Sequence, residues 1–181
     1  EWDDLPQSVA VFGAGVIGLE IGQALHDLGV RIHLFSIGGL IGALSDPEIK
    51  ASVNAHFASE FGFQTEARVQ SVERIEQGVR IRYLDNNEQV ISEDFDYVLA
   101  ATGRRPNLNK LNLEVLGLEL DRLGLPLYDQ ETLQVCRLPI FMAGDVNNDR
   151  PLLHEAADEG KIAGFNAAHY PQNSFVLIQS L

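Results

Sequence analysis

Residues 8–20 read Ser8-Val9-Ala10-Val11-Phe12-Gly13-Ala14-Gly15-Val16-Ile17-Gly18-Leu19-Glu20, an apolar strand that runs directly into Gly-x-Gly-x-x-Gly and on into a helical pattern. The order carries the reading, because a glycine turn between strand and helix is what wraps a dinucleotide pyrophosphate. Gly13 permits the sharp turn out of the strand, Gly15 leaves room for a phosphate where a side chain would collide, and Gly18 lets the helix pack closely on the sheet. Amides at the helix start, reinforced by the helix dipole, then face the negative charge. Ile17, Ile21, Ala24, Leu25 and Leu28 recur at helical spacing and predict the buried face of a helix that ends at Gly29. A glycine-rich turn that binds nothing is the competing reading.

The 181 residues are 45% hydrophobic, enough to bury a core as one ordinary domain or two small ones. With 13 basic against 26 acidic side chains the net charge is −13, which repels phosphate backbones, so no nucleic-acid partner is expected. No apolar run is long enough to span a bilayer, and Glu1-Trp2-Asp3-Asp4 is acidic where a secretory signal would be basic. The expectation is a cytoplasmic protein with no membrane partner. Cys136 is the sole cysteine, so the chain forms no internal disulfide or two-cysteine redox pair; a small buried apolar side chain is expected there. No residue cluster has metal-ligand spacing.

Val30 to Phe35 reads as a second strand, completing a strand, helix, strand unit. After a glycine-rich loop from Ser36 to Ser45, Asp46-Pro47-Glu48 starts a helix, with Asp46 as N-cap and Pro47 at its first position. Ile49, Val53, His56 and Phe57 follow at helical spacing, and Gly62 is expected to end the helix. The runs Val69 to Ile75, Val79 to Leu84 and Gln89 to Ile91 are separated by turn chemistry at Gln77-Gly78 and Asp85-Asn86-Asn87, which predicts an antiparallel three-stranded meander. Tyr97 to Ala101 reads as a buried strand and Pro139 to Ala143 as another, ending at Gly144-Asp145. A helix is expected from His154 to Ala168 with Ala157, Ile162 and Phe165 on its apolar face, and Phe175 to Ile178 as an edge strand.

Four motifs stand in order: Gly13 to Glu20; Ala100-Ala101-Thr102-Gly103-Arg104-Arg105-Pro106-Asn107; Ile140-Phe141-Met142-Ala143-Gly144-Asp145; and Leu153-His154-Glu155-Ala156-Ala157-Asp158-Glu159-Gly160. Over residues 5 to 171 this series resembles the flavin-dependent pyridine nucleotide-disulfide oxidoreductases, nearest their dihydrolipoamide dehydrogenase branch. The resemblance implies an α/β fold: a Rossmann-like NAD(P)-binding domain with a meander insertion over residues 1–106, a central segment over 107–171 that normally completes an FAD domain, and a tail over 172–181. It also implies that the family's FAD-binding start, with its redox cysteines, and its interface domain have no counterpart here. The chain is thus expected to be an internal piece, a reading that the start at Glu1 without methionine fits, as processing would also.

On that resemblance Gly13, Gly15, Ile17 and Gly18 line the pyrophosphate, Glu20 reaches toward the nicotinamide, the Val69 backbone touches the adenine, and Gly103 with Arg104 lies near the nicotinamide. Asp145, Leu153 and His154 belong to the flavin side. Four have a plainer alternative: Glu20 as a solvated acid in the first helical turn, Val69 as a strand residue, Arg104 as an ion-pair partner, His154 as a cap or surface residue. The ribose position at the end of the second strand is Ser36, which lacks the usual acid, and no arginine follows before Arg68. NAD(H) is therefore expected, with NADP(H) open. The activity implied for the parent is hydride transfer between nicotinamide and FAD and on to a disulfide-type acceptor, with this chain alone binding dinucleotide and holding no catalytic residue. A cofactor-free interaction domain of the same fold and a stand-alone nicotinamide dehydrogenase are the alternatives. An unpaired strand from Ile140 to Ala143 further predicts a homodimer, formed by pairing or exchange of the segment beyond about residue 105.

Overall fold

The computed structural model describes residues 4–85, 87–149 and 151–172, and the chain divides into two compact units, Glu1–Gly103 and Arg104–Leu181. The expected edge strand at Phe175 to Ile178 and the turn residue Asn86 lie outside the described residues.

The first unit grows from β1 (Ser8–Phe12), α1 (Val16–Asp27), β2 (Arg31–Phe35), α2 (Pro47–Glu60) and β3 (Gly62–Gln64), followed by the meander and then β7 (Tyr97–Ala100). Its main sheet is parallel, in the order β3, β2, β1, β7, with Ser8 opposite Arg31 and Val9 opposite Tyr97. Strand periodicity sorts the core: Val9, Val11, Ile32 and Leu34 face the helices with Leu25, Phe57 and Phe61, while Ala10 and Phe35 face the other way. The α2 N-cap stands as expected, the Asp46 carboxylate accepting from the Glu48 and Ile49 amides at 2.9 and 3.0 Å. Among the described residues no helix is long and apolar enough to cross a membrane.

The face of α1 meets expectation at Leu25 and differs elsewhere. Ile17, Ile21, Ala24 and Leu28 point outward, and Gly18, Gly22 and Leu25 are buried. Glycines bring the helix close: a Cβ on Gly22 would lie in ordinary contact with Leu34, Ile32 and Val11, at 3.7 to 3.9 Å. Apolar periodicity finds Leu25 but not Gly18 and Gly22, which carry no side chain to register. Gly62 likewise does not end α2, which closes at Phe61; it opens β3, a strand too short to register as a pattern. Its lack of a side chain is needed there, since a Cβ would meet the His33 ring at 2.7 Å. β7 is half exposed, because it occupies the edge of the sheet.

The meander comprises β4 (Arg68–Ile75), β5 (Gly78–Leu84) and β6 (Val90–Phe95) in that order, and covers the second face of the main sheet with Ile81, Tyr83 and Phe95. One polar cluster lies in this layer. His33 on β2, stacked on Phe35 at 4.2 Å between ring centroids, donates from Nδ1 to a Glu93 carboxylate oxygen at 3.0 Å. The Tyr83 hydroxyl donates to the same oxygen, and Arg31 reaches the other at 3.1 Å. The hydrogen bond from His33 holds the Glu93 carboxyl down to about 2, against the opposing effect of burial and helped by the bond from Tyr83; burial, and next the bond to Glu93, push the Tyr83 phenol up.

Among its described residues the second unit is less regular, with short 3-10 turns at Leu113–Leu116 and Gly144–Asn147 and one long helix, here α3 (Leu153–His169). Asp121 and Asp129 close successive turns by accepting the amides of Leu123 and Leu125, and of Glu131 and Thr132, between 2.7 and 2.9 Å. The Thr132 amide bond holds the Asp129 carboxyl below its ordinary value. Three expectations are corrected here. Residues 139–143 form no strand: Val135 donates to Ile140 and Met142 to Leu133, so the backbone there is bonded within the unit and the argument for a dimer by strand pairing loses its premise. The buried face of α3 is Glu159, Ile162, Ala163 and Asn166, with Ala157 and Phe165 outside, because polar residues serve this interior. Cys136 is exposed, placed in a turn at φ +50 with its thiol donating to the Leu127 carbonyl at 3.3 Å.

Candidate functional site

In the first unit, β1 delivers the chain to the carboxyl edge of the parallel sheet, where the three glycines of the turn meet different surroundings. Gly13 sits at φ +106 and its amide donates to Phe35 at 2.8 Å; a Cβ there would come within 2.3 Å of the Ala101 carbonyl oxygen. One at Gly18 would stand 1.9 Å from the Gly13 carbonyl oxygen and 3.3 Å from the Ala101 Cβ. Gly15 is the contrast, for nothing lies within 4 Å of its Cβ position. Two glycines are thus required by the fold, and the third borders open space.

Around that space, Gly15 caps α1 without a side-chain bond, and no acid occupies the first turn. Glu20 therefore lies beyond the first turn, not within it, exposed on the helix; Ile17 is 54% exposed. The loop after β2 folds back on the turn, Gly42 donating to the Ala14 carbonyl at 2.6 Å. Gly103 follows β7 at φ +98 with open space beside it. Val69, at a β-bulge, has its half-buried side chain against the core between sheet and meander.

Ser36 directly follows β2, at the strand end where the sequence placed it, but its side chain is turned inward. It is 3% exposed, and its hydroxyl donates to the Leu40 carbonyl at 3.0 Å, so its proton is engaged inside the loop instead of facing a ribose. The residue beside it carries no motif of its own. Because β3 pairs with β2, the segment after β3 runs along the loop after β2, and exposed Glu66 extends a carboxylate oxygen to 3.9 Å from the Cβ position of Gly39. Recognising β3 was the missing signal. A separate cleft of about 970 Å³ opens near Gln7, Arg74 and Tyr97 at the amino ends of the strands, opposite the edge at which parallel sheets bind nucleotides.

In the second unit, Arg104 and Asp145 pair at 2.7 Å, both more than half exposed. Asp145 belongs to the Gly144–Asn147 turn, which the buried Glu159 of α3 holds by accepting the Gly144 amide at 2.6 Å and the Asn147 side-chain amide at 2.8 Å. Leu153 and His154 open α3; Leu153 is 90% exposed and no side chain caps the helix.

A sequence profile described as pyridine nucleotide-disulphide oxidoreductase matches residues 1–160. Similar proteins include a dihydrolipoyl dehydrogenase of Geobacillus stearothermophilus, 33% identical over 93% of this chain and 36% of its own length. A mercuric reductase of Staphylococcus aureus is 34% identical over 92% of this chain and 30% of its own. Among solved structures, LpdA of Mycobacterium tuberculosis superposes with a TM-score of 0.76 at 27% identity, covering 92% of this chain and 36% of that one. The flavoprotein disulfide reductase RclA of Escherichia coli gives 0.79 at 19% identity over 97% of this chain and 38% of its own, a likeness of fold. The chain spans about a third of the length of these relatives.

Proposed function

Because this chain belongs to the pyridine nucleotide-disulphide oxidoreductase family, we propose that its first unit binds a nicotinamide dinucleotide, with the pyrophosphate seated over Gly15. The observation that carries the reading is the open space at Gly15, beside uncapped helix amides and between two glycines that the fold itself requires. Gly13 and Gly18 shape the turn, Ile17 flanks the phosphates, Glu20 and Gly103 lie toward the nicotinamide, and the Val69 backbone supports the adenine. NAD(H) is the proposed partner. In a longer protein the Gly144–Asn147 turn, Leu153 and His154 would lie on the FAD side, Asp145 toward the ribityl chain. Arg104 acts as the ion-pair partner of Asp145. The chemistry supplied by the bound groups is hydride transfer between nicotinamide and flavin, passing on to a disulfide-type acceptor. A cytoplasmic homodimer is proposed for that protein on family likeness alone.

The test is Gly15→Val with NADH titrated calorimetrically. The variant is expected to keep the thermal midpoint of the parent, since its side chain enters open space, and to lose NADH affinity by roughly a hundredfold or more through collision with the phosphates. Binding equal to that of the parent would remove the pyrophosphate assignment.

A further inference from the structure

A doubly wound sheet holds the adenosine ribose at the carboxyl end of its second strand, where an acid ordinarily accepts the ribose hydroxyls. Ser36 stands at that end, buried, with its proton given to Leu40. The neighbouring strand brings an acid beside that loop. Phe35 lies opposite Gln64, and beyond the ladder the two loops stay bonded: Ser36 donates to Gln64 at 2.7 Å, Gly39 to Thr65 at 2.9 Å and Ala67 to Ser36 at 2.7 Å. These backbone bonds fix Glu66 at the strand end. Gly38 and Gly39 are left-handed, at φ +68 and +67, and carry no side chain to screen it. Among the described residues the Glu66 carboxylate has no hydrogen bond or ion pair. Arg68, the next cation along the chain, gives its guanidinium to Glu88 at 3.2 and 3.3 Å.

We infer that Glu66 is the residue that selects NAD(H) over NADP(H), standing in from β3 for the acid that β2 lacks. Its carboxylate accepts from the ribose 2′-hydroxyl and repels a 2′-phosphate, and the paired Arg68 offers that phosphate no free counter-charge. The inference rests on the glycine turn being the dinucleotide site.

The test measures NADH and NADPH affinity for the chain and for Glu66→Gln at low salt. Glu76→Gln, which removes an acid at the opposite end of the sheet, controls for net charge. The parent is expected to favour NADH by about tenfold or more, as charges a few ångströms apart in water require. Glu66→Gln should cut that preference by roughly fivefold, chiefly by tightening NADPH, with an unchanged thermal midpoint; Glu76→Gln should leave the ratio alone. Dinucleotide binding with a ratio unmoved by Glu66→Gln, moved equally by Glu76→Gln, or favouring NADPH in the parent overturns the selector role alone. A parent that binds neither dinucleotide overturns the selector together with the glycine-turn reading beneath it.

Discussion

The two units are held to shape by different means. The first is a layered arrangement of paired strands, in which the constraint at the critical turn is space: Gly13 and Gly18 admit no Cβ because a carbonyl oxygen already occupies the position. The second has few regular pairings, and its constraint is hydrogen-bond satisfaction, with Asp121, Asp129 and Glu159 each accepting two donors that would otherwise be lost. A steric constraint punishes the addition of atoms. A polar one punishes their removal.

Gly18→Val should show the largest effect. Its Cβ would press within 1.9 Å of a backbone oxygen that cannot yield without opening the turn, so a loss of about 4 kcal/mol or more is expected, against almost none for the same change at Gly15. Urea unfolding followed by circular dichroism reads this directly, and equal tolerance at both positions would break the steric account. Glu159→Ala comes next, leaving the Gly144 amide and the Asn147 side chain buried without their acceptor, at a cost of roughly 3 kcal/mol. Exchange of the Gly144 amide with solvent, followed by NMR, should accelerate with it; a stability unchanged from the parent would mean that packing, not polarity, holds the second unit.

The smallest of the three effects concerns the polar exception inside the first unit. The folded Glu93 carboxyl titrates at about 2, below an ordinary 4.5, so its contribution is fully present above the ordinary value and is lost as pH falls from there through 2. Glu93→Gln should therefore lose about 2 kcal/mol at pH 7, after allowance for its partial exposure, and almost nothing near pH 2. Parallel stability curves for parent and variant from pH 7 to 2 would show that the His33, Tyr83 and Arg31 contacts leave the carboxylate no better placed than in the unfolded chain.

The same contrast explains what the sequence disclosed. Signals that act on neighbouring residues were legible: the glycine turn, the Asp46 cap, the hairpins of the meander and the start of α3. Signals that depend on distant partners were not. Nothing local shows that Gly22 and not Ile21 faces the sheet, that His33 meets Glu93, or that Gly62 lies beneath the His33 ring. The Pro139 to Ala143 run has strand composition, yet its backbone bonds go to Leu133 and Val135 in a short ribbon without strand regularity. At the candidate site the glycines were found because their roles are written in their spacing. The burial of Ser36 and the nearness of Glu66 were not legible because each depends on a three-residue strand that only tertiary pairing reveals.

The entry of β7 beside β1 has a consequence for how the first unit assembles. Asp96 accepts the amides of Gln7 and Ser8, and donates its own amide to the Ser8 hydroxyl, across separations of 88 and 89 residues. Closing so long a loop is slow compared with forming the adjacent hairpins of the meander, because its entropy is lost before the distant contacts compensate. The edge of the sheet that carries Ala101, against which Gly13 and Gly18 close, is thus the piece expected to arrive last. A refolding chain should protect the amides of β5 before those of β7, and the glycine turn should take its final form as the kinetic endpoint of the unit.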